Sequence, residues 1–315
     1  MAFPCRPDRH RGTWGLPHLS WLLSIYLAGP LVAREVDNDW LAPAPHNRVF
    51  ETALRDAEPG WLAEAEERME GEGDKDEIET DRDSFTPATT NVSRGRTIFE
   101  SAYTFIDNRR AFDTHSYPEL LLRLGVSDRF EARLSWNAEV GGEGNTVSSE
   151  GGEEDFESPH IVRETQVSYG LKYVMQRQDG WLPDLAVITT GQTPTSGPET
   201  ATTFVGTVVT GWTLANRSKL DAAIRYSADV VEHDHHNLWA PSIVWKLPIW
   251  SRANVHAEYF GIFTSGRLDN TNAQYISPGI HFLVTPDLEV GVRGGWGLND
   301  DSARFFVNTG LGIRF

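Results

Sequence analysis

One cysteine, Cys5, is all the thiol this chain has. It lies in a segment expected to be removed on export, so the mature protein should hold no disulfide, thiolate metal site or cysteine nucleophile. Beyond the N-terminal region no run of 18 or more apolar residues exists, which excludes a spanning helix there. That absence does not exclude a membrane, because the strands of a membrane barrel are only half apolar. Positive charge is short: 28 Lys and Arg against 45 Asp and Glu give a formal net charge of −17, so nucleic acid is not an expected partner. A G-x-S-x-G nucleophile elbow is missing, and the glycines of 291–295 have no helix after them to cradle a phosphate. The chain is therefore read as non-enzymatic and without a cofactor.

What the chain does have is alternation. Phe130, Ala132, Leu134, Trp136, Ala138 and Val140 are apolar, and every residue between them is polar. A period of two sends one set to each face of a strand, where a helix would scatter both. Residues 119–126 alternate too, apart from Leu121, and only Ser127 and Asp128 separate the two runs, which reads as a tight antiparallel hairpin. One face is greasy and the other charged. Either the greasy face lines a soluble core, or it meets lipid while the charges line a channel.

Taken in order, residues 1–33 resemble a secretory signal, with Arg6, Arg9 and Arg11 before an apolar stretch and Leu31-Val32-Ala33 as the cleavage site. Residues 34–94 carry 17 Asp and Glu against 7 Lys and Arg and form an acidic N-terminal segment, either solvated in the periplasm or entering a lumen as a plug. From 95 to 315 the alternation predicts about 12 strands: 96–105, 119–126, 129–140, 161–174, 185–193, 203–214, 219–228, 238–247, 252–263, 274–284, 288–296 and 303–315. Their links are long and short by turns, with 175–184 and 297–302 spoiling the pattern. An up-and-down barrel with both ends on one side of a membrane sorts its links this way, and a Greek-key sandwich does not. The last run keeps Leu311, Ile313 and Phe315 on its apolar face, with Gly310 on the other, and ends on an aromatic. Gly310, Leu311, Ile313 and Phe315 thus look like the terminal signal read by the barrel-assembly machinery. Trp136, Trp181, Trp212, Trp239, Trp245, Trp250 and Trp296 fall mostly toward strand ends, as interfacial girdles require.

A family resemblance rests on Thr80-Asp81-Arg82-Asp83-Ser84-Phe85-Thr86, on Gly95, Phe99-Glu100 and Tyr103, and on Leu122-Arg123-Leu124-Gly125 and Asp128-Arg129-Phe130-Glu131. With these the chain resembles the outer-membrane barrels grouped under meta-pathway phenol degradation or transport. The resemblance spans 78–315, carries no catalytic signature, and implies a barrel passing small aromatic or hydrophobic compounds. The acidic stretch 34–77 departs from the family pattern.

If the apolar face meets lipid, the charged face becomes the lining of an enclosed space. The candidate pore-lining residues are Arg123, Arg129, Glu131, Arg133, Lys172, Arg225 and Lys246, together with Arg252, His256, Glu258, His281, Arg293 and Arg304. They form either a cross-strand ion-pair lattice or a polar passage with a slight preference for anions. A further expectation is that the acidic stretch 34–77 enters this basic lumen and plugs it. His233, His235 and His236, with Glu232 and Asp234, read as a solvated outer loop ahead of a weak divalent-cation site, and no metal is expected. The sequence therefore predicts an all-β, closed antiparallel up-and-down transmembrane barrel in the outer membrane of a Gram-negative bacterium. Its role would be a passive channel for small-molecule solutes, or else a closed barrel acting through its outer loops. Expected partners are outer-membrane lipid, the barrel-assembly machinery and the solute.

Overall fold

The computed structural model describes residues 77–315 except 83, 143, 149–159, 199, 232–233 and 268–269. The expected signal, residues 34–76, and Glu232 and His233 of the histidine cluster lie outside the described residues.

Among the described residues twelve strands follow one another without an intervening helix: β1 (Thr97–Asp107), β2 (Thr114–Gly125), β3 (Phe130–Gly141), β4 (Val162–Gln176), β5 (Asp184–Ser196), β6 (Thr203–Thr213), β7 (Lys219–Val231), β8 (Asp234–Trp250), β9 (Ala253–Ser265), β10 (Asn272–Thr285), β11 (Leu288–Gly297) and β12 (Phe305–Arg314). Each pairs antiparallel with its neighbours in sequence, and β12 pairs with β1 to close the barrel. Closure leaves no row of unpaired backbone groups, the condition for crossing hydrocarbon. The seam runs from Ile98↔Arg314 to Asp107↔Phe305. Beyond the last strand residue Phe315 still exchanges both backbone bonds with Thr97, at 2.9 and 3.2 Å. Thr97 and Phe315 mark the terminal end of the barrel; the opposite end is the far end.

The register of β3 fixes which face looks out. Glu131, Arg133, Ser135 and Asn137 are buried, while Phe130, Leu134, Trp136 and Val140 are 37–50% exposed. The greasy face is the outer wall. A slip of one residue would turn Glu131 and Arg133 outward, and an Arg near a bilayer midplane costs about 2–4 kcal/mol. Leu121, the residue that broke the polar face of the first hairpin strand, is fully buried inside. Aromatic rings ride the outer wall near both ends: Trp181, Trp245 and Trp250 toward the terminal end, Trp239 and Trp296 toward the far end, all at least 44% exposed.

Several strands outrun their predicted lengths, β2, β7 and β8 among them. β2 begins at Thr114 rather than 119, because a register shift between Ser116 and Glu119 carries Pro118 through the ladder. β7 and β8 stay paired from Asp229↔His236 to Val231↔Asp234, where a long link was expected over 229–237. β8 also continues to Trp250.

Candidate functional site

The described residues of the stretch 78–92 run inside the barrel. Ile78 and Val92 pack with Ile98 and Leu283 at the terminal end. Phe85, midway between them, packs with Ile106, Leu238, Phe260, Tyr275 and Phe306 toward the far end. The segment is thus a finger that enters, turns near Phe85 and returns. Two wall glycines make room for it: a Cβ on Gly312 would collide with Thr80, and one on Gly125 with the Ser93 carbonyl.

Asp81 sits where wall cations converge. Its Oδ2 lies 2.6 Å from Arg133 Nη1 and 3.4 Å from Lys172 Nζ, and its Oδ1 lies 3.6 Å from Arg123 Nη1 and accepts from the Ala88 amide at 3.0 Å. Burial pushes the Asp81 carboxyl up, but Arg123, Lys172 and Arg133 outweigh it and hold the group well below the usual carboxylate range. Arg123 also pairs with Glu131 at 2.8 Å and Glu100 at 3.1 Å. Glu100 in turn accepts the Asp81 and Arg82 amides, each at 3.0 Å. Arg82 reaches across to Glu119 at 3.0 Å and to the Leu120 carbonyl at 2.8 Å. At the base of the finger Glu79 pairs with Lys219 at 2.9 Å. Burial alone would raise the Glu79 carboxyl; Lys219, Lys246 and hydrogen bonds from Thr90 and Lys219 bring it down to about 2.

The tip is held by Glu258. Its carboxylate accepts the Phe85 amide at 3.0 Å, the Thr86 amide at 2.7 Å and the Thr86 hydroxyl at 2.8 Å, and pairs with Arg293 at 3.4 Å. From the far end the link after β3 folds inward: Asn145 and Ser148 donate to Glu119 at 2.9 and 2.8 Å, and the Val147 carbonyl accepts from Arg293 at 2.6 Å. His256 and His281 lie side by side, Nδ1 to Nε2 at 2.6 Å. A cavity between the finger and β10–β12, lined by Thr80, Arg82, His281, Glu289 and Asn308 among others, has room for about one water molecule.

Of the residues predicted to line the lumen, Arg123, Glu131, Arg133, Lys172, Arg225, Lys246, Arg252, His256, Glu258, His281 and Arg293 have their side chains buried within the barrel. Two do not and are corrected. Arg129 is exposed in the turn between β2 and β3, where strand parity no longer applies. Arg304 precedes β12, is 55% exposed and pairs with Asp107 on the rim at 2.6 Å. Gly310 and Leu311 lie on the seam with β1, as do Ile313 and Phe315. Among the described residues, 78–82 and 84–92 enter the lumen; they belong to the segment 34–94 given the plug alternative, while the stretch 34–77 expected to enter lies outside the described residues but for Glu77. Asp81, Arg82, Phe85 and Thr86 were legible only as part of the family-like motif; nothing in their spacing announces a lumen partner.

A family model described as "Putative MetA-pathway of phenol degradation" matches residues 80–315. Among solved structures, the COG4313 outer membrane channel from Pseudomonas putida F1 is 12% identical with a TM-score of 0.52, over 76% of this chain and 100% of its own. The NanC porin is 11% identical with a TM-score of 0.46, over 69% of this chain and 98% of its own. The KdgM porin in complex with disordered oligogalacturonate is 10% identical with a TM-score of 0.42, over 69% and 99%. At such identities the likeness concerns the fold, a closed barrel of the outer-membrane kind. No curated protein matches the chain.

Proposed function

Since the chain belongs to the family described as "Putative MetA-pathway of phenol degradation", we propose that it is an outer-membrane channel for small solutes, held shut by residues 78–92. One observation carries this reading: beside pairs closed within the wall, such as Arg123–Glu131 and Arg293–Glu258, several charges of the inner wall find their partners on a segment that is not part of it. Arg133 and Lys172 meet Asp81, Glu119 meets Arg82, and Glu258 meets the Phe85 and Thr86 amides. A purely structural barrel would close its pairs from strand to strand. Here withdrawal of the finger leaves a polar, water-accepting passage.

In this reading the terminal end faces the periplasm of a Gram-negative cell, and the exposed apolar wall with its two tryptophan belts meets outer-membrane lipid. The seam ending in Gly310, Leu311, Ile313 and Phe315 is the segment that the barrel-assembly machinery engages. The family's name and the aromatic residues around Phe85 both favour small aromatic solutes. A permanently closed barrel acting through its outer loops is the second reading, favoured by the tight filling beside the finger.

Liposome swelling separates them. Phenols, sugars and organic anions are offered side by side to liposomes holding the mature protein or a variant lacking residues 78–92. Faster solute entry through the shortened variant is expected; entry no faster than into empty liposomes for both proteins would leave the closed barrel.

A further inference from the structure

The Phe85 ring is held as a ligand would be. It lies parallel to Phe260, with centroids 4.2 Å apart and planes 8° from each other. The Arg225 guanidinium covers its other face at 4.6 Å from the centroid. Phe260 is itself stacked on Tyr275 at 4.9 Å and 18°. The ring is 2% exposed. Both covers stand on strands held by ladder hydrogen bonds, Arg225 on β7 and Phe260 on β9, so the backbones that carry them stay in place when the ring leaves. The gap between the covers is one ring thick, with a π face on one side and a cation on the other. Neither contact reads anything specific to phenylalanine; each needs only a flat aromatic ring.

At the edge of the slot where the Phe85 ring joins its backbone stands Glu258. Its two oxygens take three donors from the finger: the Phe85 amide, the Thr86 amide and the Thr86 hydroxyl. A molecule that displaces Phe85 must bring a donor to that edge, or the carboxylate is left short of partners at a cost. An aromatic hydroxyl does so; an aromatic carboxylate would meet Glu258 with like charge.

We propose that Phe85 occupies, in the closed barrel, a binding site for a neutral monocyclic aromatic carrying a hydroxyl group, and that such a compound opens the channel by taking its place. This rests on the channel reading above and adds to it the site, its ligand class and the coupling to opening. Loss of the tip contacts leaves the finger anchored only toward the terminal end, around Asp81 and Val92, which favours withdrawal.

The test records ion current through the mature protein in planar bilayers while catechol, benzoate or cyclohexanol is added. Catechol is expected to raise the conductance of the wild-type protein, with benzoate and cyclohexanol much weaker. Phe260→Leu is expected to raise the catechol concentration giving half the response about two- to tenfold, the loss of one ring contact. Asp81→Ala, which unseats the finger elsewhere, is recorded beside them. If it conducts while catechol does nothing to the wild type, or if cyclohexanol acts as well as catechol, the slot is overturned and the channel stands. If it too is silent, the channel reading fails, and equilibrium dialysis of radiolabelled phenol against the detergent-solubilised wild type decides the slot. Saturable binding weakened by Phe260→Leu upholds it; no saturable binding overturns it.

Discussion

Asp81 shows what one carboxylate does when several cations share it. Arg133, Lys172 and Arg123 all lie within 3.6 Å, and each side chain is nearly or fully buried. Removing one member of a buried ion-paired group costs about 3–5 kcal/mol, because the partners keep their charge and lose their counter-ion. Asp81→Asn keeps the shape and removes the charge, so it is expected to unseat the finger and raise single-channel conductance; a current no larger than that of the wild type would count against the role given to Asp81. The acid sensitivity has a definite sign. Glu79 is depressed from 4.5 to about 2, so its contribution to seating is complete above pH 4.5 and is lost as the pH falls toward 2. The stability difference between wild type and Glu79→Gln, measured by denaturant titration, should therefore be constant from pH 8 to 5 and shrink only below that. At this scale the sequence was partly readable. Strand parity put Glu131, Arg133 and Arg293 on the inner side, since alternation is a property of neighbouring residues. It misplaced Arg129 and Arg304, because parity was carried past the ends of the strands. It had no means of pairing Asp81 with Lys172, which lies 91 residues away and is brought close only by closure of the sheet.

Single strands tell a similar story. β3 was legible in full, as its two faces meet media that differ as much as hydrocarbon and a polar interior. Spin labels placed singly along 130–140 should show oxygen accessibility rising at even-numbered positions and falling at odd ones; equal accessibility would mean that the greasy face does not meet lipid. The β7–β8 hairpin was read short because the stretch Glu232-His233-Asp234-His235-His236 carries no apolar alternation in the sequence. Strands that continue past a lipid slab have water on each side, so the pattern used to find them fades while the backbone ladder goes on. β2 was read short for another reason: Pro118 signals a break, and a bulge admits it. The finger has no periodicity at all. Its conformation comes from amides and side chains satisfied by the wall, such as the Val92 amide on Glu131 at 2.9 Å.

At the scale of the whole molecule, closure and filling are separate events. Closure depends on the β1–β12 seam, whose last two bonds join Phe315 to Thr97. Deleting Phe315 is expected to lower the fraction of chain that reaches the membrane as a folded barrel, seen as loss of the heat-modifiable band on gels; an unchanged fraction would remove that residue from assembly. Number and order of strands were foreseeable because twelve alternating runs with sorted links admit few arrangements. Filling was foreseeable only in outline, as an N-terminal plug, because which residues fill a lumen depends on what the closed wall leaves to be paired.

The claim on which the rest stands is that residues 78–92 close a passage that is otherwise open. Thr86 and Ser242 place their hydroxyl oxygens 2.9 Å apart, one on the finger and one on the wall. In the Asp81→Asn background, with Cys5 lying in the segment expected to be removed, cysteines at these two positions form a tether that redox conditions make or break. Planar-bilayer recording should find current under reducing conditions and its loss on oxidation, restored by reductant. Current indifferent to the state of the tether, with the disulfide verified by mass spectrometry, would contradict the account.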